Sequence, residues 1–145
     1  MHYFVCGTNR PEVGRDGRSL EALMHDNHCA AMWEYPEDRE ERVRILEHMG
    51  RVEPGDLIFM FATGVGVIGI GKATKSRLGP LQPGDGRRIR GDSWRAPEWQ
   101  VPVEWLRWQL ENPCEVQGWN ATFYDVTGDT WDELREAVLE HFNLG

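Results

Sequence analysis

Two tryptophans and a run of arginines carry the side chains best suited to chemistry in this sequence. Of seven tryptophans, Trp99 and Trp105 fall on a period of two, and Trp131 falls on a helical period, so packing accounts for them. Trp108 and Trp119 are undecided. Trp33 and Trp94 have no periodic explanation, and Trp94 stands in Asp92-Ser93-Trp94-Arg95, at the end of a basic stretch. Indole faces beside guanidinium groups suit the stacking of an unpaired base while cations hold its phosphates.

Charge distribution points the same way. The chain as a whole carries −8, which argues against a general nucleic-acid binder. Between Lys72 and Arg95, however, seven basic residues (Lys72, Lys75, Arg77, Arg87, Arg88, Arg90 and Arg95) face two acids, Asp85 and Asp92. That segment is +5 and the remainder −13, the footprint of a small phosphate-contacting patch on a repelling surface.

Other chemistries find little support. Gly64-Val65-Gly66-Val67-Ile68-Gly69 fits GxGxxG and Gly66 to Lys72 fits GxxxxGK, but no helix follows, and Ala73 has no hydroxyl for magnesium. The glycines are expected to allow close packing against a neighbouring element. No GxSxG, HExxH or deaminase signature occurs. Cys6, Cys29 and Cys114 are odd in number and lack a CxxC pair, so reduced, mostly buried thiols are expected, with no metal and no cofactor. The cluster His25-Asp26-Asn27-His28-Cys29 could offer metal ligands, but a structural site usually needs four, commonly drawn from two well-separated pairs. The competing enzymatic reading, a small ribonuclease of the ASCH type, would use His25 or His28 with Lys72. A third reading is a protein-interaction module using the acidic helix at 37 to 49.

The elements that must position these groups make one domain over 1–145, a length suited to one core. A first strand covers 2 to 7 and ends in the turn Gly7-Thr8-Asn9-Arg10-Pro11. Ser19 caps a short helix. Asn27 to Trp33 has no firm assignment. Pro36 opens a helix on which Val43, Leu46 and Met49 recur, and Gly50 closes it. Pro54-Gly55-Asp56 launches Leu57 to Ala62, apolar on both faces; Thr63-Gly64 reverses the chain, and Val65 to Ala73 completes a hairpin. Residues 76 to 93 read as one long loop. Trp99 to Trp105 is a strand with its tryptophans on the apolar face, placed at an edge or beside a bulge by Pro102. Ala121 to Val126 is a further strand, and Thr130-Trp131-Asp132-Glu133 is a capping box for a last helix. The longest apolar run is too short to span a bilayer, and no secretory signal is visible, so no membrane contact and a cytoplasmic location are expected.

Five pieces carry a resemblance: Tyr3-Phe4-Val5-Cys6-Gly7-Thr8-Asn9, Met32-Trp33, Pro54-Gly55-Asp56, the hairpin end Gly69-Ile70-Gly71, and Trp99 to Leu106, above all Val103-Glu104-Trp105-Leu106. In this order the chain resembles the EVE and YTH group of PUA-like domains. The resemblance implies an α+β fold, a PUA-like small mixed β-barrel of five or six strands with flanking helices. It also implies a pocket for a flipped, modified base, often a methylated one, in DNA or RNA. Trp33 and Trp94 would be its aromatic walls, and Thr8 and Asn9 would contact the base edge or sugar. Arg88, Arg90 and Arg95, with Lys75, are the expected phosphate contacts. Similar domains serve as RNA readers and, in prokaryotes, as recognition modules of restriction systems. With an acidic chain and no second catalytic domain, a separate nuclease or effector protein is the expected partner.

Overall fold

A strand that is apolar at every position needs an apolar layer on each side, and Leu57–Ala62 (β3) has two. The computed structural model describes residues 1–9, 12–34, 37–91, 94–120 and 122–144. Ile58, Met60 and Ala62 point into an inner cluster with Phe4, Cys6, Ile68 and Phe123. Phe59 and Phe61 point into an outer cluster with Val5, Val67, Ile70, Trp119, Val138 and Phe142. Alternation along a pleated strand therefore feeds both layers from one sequence.

The first strand, β1 (Tyr3–Thr8), runs parallel to β3, with Tyr3 opposite Leu57 and Thr8 opposite Ala62. Parallel pairing requires a crossover. Here it contains α1 (Leu20–Asp26), β2 (Cys29–Trp33) and α2 (Arg39–Gly50). The hairpin partner β4 (Gly66–Ala73) pairs antiparallel with β3, and β6 (Glu98–Trp108) pairs with both β4 and β2. A short β5 (Leu78–Leu81) also pairs with β6, and β7 (Phe123–Asp125) closes on β1. The order is β2-β6-β4-β3-β1-β7. Its two limbs curl back until the Cys6 thiol lies 3.7 Å from the Ala31 carbonyl, so β1 faces β2 across a nearly closed barrel-like sheet. The fold is thus a small mixed α+β barrel with flanking helices, as expected, with seven strands among the described residues where about five or six were expected.

Ser19 caps α1 by accepting a hydrogen bond from the Ala22 amide at 3.2 Å. Leu20, Leu23 and Met24 of α1 pack into the inner cluster. The outer layer is covered by α3 (Asp132–His141) through Val138, with Phe142 just beyond it. The expected capping box is absent: a 3-10 turn at Asp129–Trp131 leads in, and Trp131 occupies the cap position with no side-chain hydrogen bond.

Two further expectations are corrected, and one stretch without an assignment gains one. Residues 76 to 93 are not all loop, since β5 lies within them. Asn27 to Trp33 resolves into a turn and β2, whose five residues are all buried. Pro102 is on an interior strand, where β4 has just ended with Ala73 opposite Val103 and β5 has yet to begin; its carbonyl accepts from the Thr74 amide at 2.9 Å. A proline is tolerated there because no partner strand faces its missing N–H. Pro36, Ala121, Arg10, Pro11, Asp92 and Ser93, named in the sequence reading, lie outside the described residues.

Gly69 and Gly71 of the hairpin are packing residues, whereas Gly64 sits in the turn at a positive φ of 81° with nothing close to it. A Cβ on Gly71 would stand 2.1 Å from Val103 Cγ1 and 2.8 Å from the Trp105 ring; on Gly69 it would stand 2.6 Å from the Trp108 ring. The strand beside them is β6, and its bulky side chains need that space. Gly71→Ala is expected to cost about 1–3 kcal/mol by overpacking, read as a lower urea midpoint with an unchanged slope.

On the other side of the barrel α2 packs on β7 through His48, whose Nδ1 accepts from the Asp125 amide at 2.8 Å. Burial, then the neighbouring Arg51, push the His48 pKa below its ordinary 6.5. The unfolded chain therefore takes up a proton on this histidine before the folded chain does, so stability held above that pH is lost as pH falls towards the folded pKa. Thermal unfolding followed from neutrality to about one pH unit below 6.5 is expected to show a falling midpoint, with a shallower slope in His48→Asn.

Candidate functional site

Where β1 and β2 approach without pairing, the ends of both strands frame a cleft. Gly7, Thr8 and Asn9 come from β1 and its exit, Met32 and Trp33 from β2, Leu20 from α1, and Glu12 from the intervening loop. The register of β2 on β6 sets Trp33 directly opposite Glu98. Directly opposed residues share a face, so the indole Nε1 donates to Glu98 Oε1 at 2.6 Å.

Glu98 is fully buried and organises the surrounding chain. Besides Trp33 it accepts from the backbone amides of Ile89 and Arg90, each at 3.1 Å, and from Gln100 Nε2 at 2.6 Å. A buried carboxylate is tolerable when its lone pairs are used in this way. One carboxylate thus fixes the Trp33 indole and the backbone of the basic segment together. Gln100, which alternates with the β6 tryptophans, is buried together with Glu98, and the Ile89 amide meets Glu98 there.

The three expected phosphate arginines in this segment have three different environments. Arg88 is 2% exposed and donates to the carbonyls of Leu81 (2.9 Å), Ala96 (3.0 Å) and Trp94 (2.6 Å). It is a staple that holds the loop, and its burial against three carbonyls keeps it from phosphate contact, contrary to expectation. Arg90 lays its guanidinium over two indoles, with Cζ 4.1 Å from the Trp94 ring centre and 5.0 Å from that of Trp33. Its Nη1 is 3.0 Å from Glu12 Oε2, and its side chain is 14% exposed. Arg95 is exposed.

Lys75 is exposed but remote along the strands: Thr74 bonds to Pro102, which pairs with Cys29, four residues or about 13 Å down β2 from Trp33. Arg87 is engaged by Asp85 at 2.8 Å, and this pairing holds the Asp85 carboxyl down to about 2, so part of the local positive charge is already balanced. The Arg15 side chain ties the loop to α1, donating to Gly86 O, Arg88 O and Asn27 Oδ1.

Thr8 is 4% exposed, with its hydroxyl 3.5 Å from Glu21 Oε2; Asn9 is exposed at the rim. The structure therefore brings Trp33, Trp94, Arg90, Thr8 and Asn9 to one place and leaves Arg88 and Lys75 out. The space beside Trp33 has room for about one water, roughly 10 Å³, not for a base. The planar group lying on both indoles is Arg90 itself, and Trp33, packed in the inner cluster, is only 2% exposed. Glu12, Glu21 and Glu98 escaped the sequence reading. Only Glu98 had a local signal, a glutamate leading directly into an alternating strand.

The groups of the enzymatic reading do not assemble. His25 stands 3.0 Å from Asp26 and against Trp108, and His28 is exposed at the start of β2. Lys72 is exposed on β4, and no hydrogen bond or ion pair joins it to either histidine among the described residues. Cys6 and Cys29 are buried thiols; burial drives the Cys6 pKa upward and that of Cys29 to about 12, which removes both as nucleophiles. No group of three or more metal-ligating side chains gathers among the described residues. No helix among them is long and apolar enough to cross a membrane. The exposed flank of α2 offers a shallow groove of mixed charge, lined by Arg39, Glu40, Val43, Arg44, Glu47 and His48.

No family model and no curated protein matches the chain. Among solved structures it is similar to the NMR structure of Rpa0253 from Rhodopseudomonas palustris, with 14% identity over 99% of this chain and 94% of that one, at a TM-score of 0.51. Weaker likenesses are to PSPTO5229 from Pseudomonas syringae (19% identity, 92% and 97% covered, TM-score 0.41) and to a Pseudomonas putida protein (18%, 94% and 99%, 0.43). At such identities the first of these shows the fold alone.

Proposed function

We propose that this chain is a nucleic-acid-binding module that receives a modified, methylated base between Trp94 and Trp33, as its resemblance to EVE and YTH domains implies. One observation carries the reading: a flat guanidinium lies over both indoles, with Cζ 4.1 and 5.0 Å from the ring centres, the place that a base stacking on those rings would take. The Arg90 backbone is anchored on Glu98, so its side chain is the part free to swing out and give its place to the base. Thr8 and Asn9 then face the base edge, while Arg95 and the withdrawn Arg90 meet the flanking phosphates. Chemistry on the recognised strand falls to a separate effector protein, and the buried free thiols are in keeping with a reducing, cytoplasmic setting.

Displacing Arg90 lowers apparent affinity by the fraction of molecules already open, so unmodified strands are expected to bind weakly. Titration with methylated and unmethylated oligonucleotides, single-stranded and duplex, at two salt concentrations is the test. Methylated strands should bind more tightly, with tryptophan fluorescence quenched. Replacing Trp94 by alanine should weaken that binding about tenfold, the worth of one base stack. Absence of salt-sensitive binding to all four oligonucleotide types sinks the proposal.

A further inference from the structure

Resting on that reading, the geometry points to a narrower guest: a base made cationic by methylation at a ring nitrogen, rather than a neutral methylated base. The slot holds a planar cation in the free protein, and three groups receive it. Two are the π-faces of Trp94 and Trp33; the third is the Glu12 carboxylate, 3.0 Å from Arg90 Nη1. Each of the three favours positive charge, the indoles through their quadrupoles and the carboxylate through its own charge.

A guest that evicts Arg90 must replace what the slot loses. A neutral base restores the stacking and leaves Glu12, whose side chain is 28% exposed, without its cation. Methylation of adenine at N1, or of cytosine at N3, leaves a base that is protonated and positively charged at neutral pH. Its charge is shared between the ring nitrogen and the exocyclic amino group across one carbon, an amidinium. That is the flat N–C–N arrangement of a guanidinium, with N–H donors that a carboxylate accepts. Such a base restores the stacking and the ion pair together. The same methyl group blocks the pairing edge, so the base is already easier to extrude from a duplex.

The alkylated bases have neutral isomers, which makes the test clean. 1-Methyladenine and N6-methyladenine have one composition and differ in charge, as do 3-methylcytosine and 5-methylcytosine. Single-stranded oligonucleotides alike except for one such residue are titrated against the protein and its Arg90→Ala variant. The cationic isomer is expected to bind about tenfold more tightly in each pair. Arg90→Ala should keep the ratio between the isomers, because it opens the slot and removes the same phosphate contact for both. Adding Glu12→Gln to Arg90→Ala should bring the ratio below about threefold while leaving the neutral isomer unchanged. If Arg90→Ala fails to fold by thermal unfolding, Arg90→Lys, a weaker occupant, takes its place in the same comparison. Equal binding of the isomers overturns this inference and leaves base reading intact. A ratio untouched by Glu12→Gln overturns the role of the carboxylate, and with it the inference. Failure of every oligonucleotide to bind any variant removes the proposed function as well.

Discussion

Glu98→Ala is expected to destabilise the domain by about 3–5 kcal/mol, the largest effect of any single polar substitution in it. The reason is what the carboxylate leaves behind. Trp33 Nε1 and the amides of Ile89 and Arg90 lose their acceptor in a place from which water is excluded, and each orphaned donor costs about 1–3 kcal/mol. Gln100 loses less, because its Nε2 also donates to the Arg87 carbonyl at 2.8 Å. Against a typical net stability of about 5–15 kcal/mol the loss is severe. Urea unfolding measures it, and the position of Trp33 fluorescence emission reports whether the indole still lies in a dry site. Glu98→Gln should recover part of the loss, since its amide oxygen accepts from one or two of the donors and its NH₂ faces the others. A loss under about 1 kcal/mol for Glu98→Ala would mean that the basic segment is held by something other than this carboxylate.

The parts of this fold that declare themselves locally were legible. Leu57 to Ala62 and the run to Ala73 could only be strands with two covered faces, and Gly69 and Gly71 could only be sites of close approach once no helix followed them. The parts that depend on a partner were not. Leu78-Gly79-Pro80-Leu81 has no strand propensity; it is β5 because β6 presents unused backbone groups opposite Gln100 and Glu98. Cys29 to Trp33 lacks alternation because every one of its side chains is enclosed. At the site, Trp33 and Trp94 stood out because no periodicity explained them, and they do meet on one guanidinium. What sequence could not convey is direction. Arg88, Arg90 and Arg95 are the same residue type within eight positions, yet one is a buried staple, one a stacked occupant and one exposed. That difference arises from where Leu81, Ala96 and Glu98 stand, and strand pairing sets Leu81 opposite Glu98.

Separating staple from phosphate contact yields the second large effect. Arg88→Ala is expected to cost about 3 kcal/mol, by removing a charged donor from three carbonyls that are otherwise left in a closed loop. Arg88→Lys should recover little, because a single ammonium cannot reproduce a planar fork that reaches Leu81, Ala96 and Trp94 together. Arg95→Ala and Lys75→Ala, both at exposed positions, should leave stability within about 0.5 kcal/mol. Binding should divide the residues differently. Loss of Arg95 weakens association with any strand and lowers the salt slope by about one phosphate's worth. Loss of Arg88 acts through Trp94, whose carbonyl it holds at 2.6 Å, so the preference for a methylated base falls while the salt slope is kept. Chemical denaturation of the four variants, set beside their salt titrations, distinguishes the two roles. An Arg88→Ala protein of unchanged stability and reduced salt slope would return this arginine to the phosphate contacts, and the loop would then need another anchor.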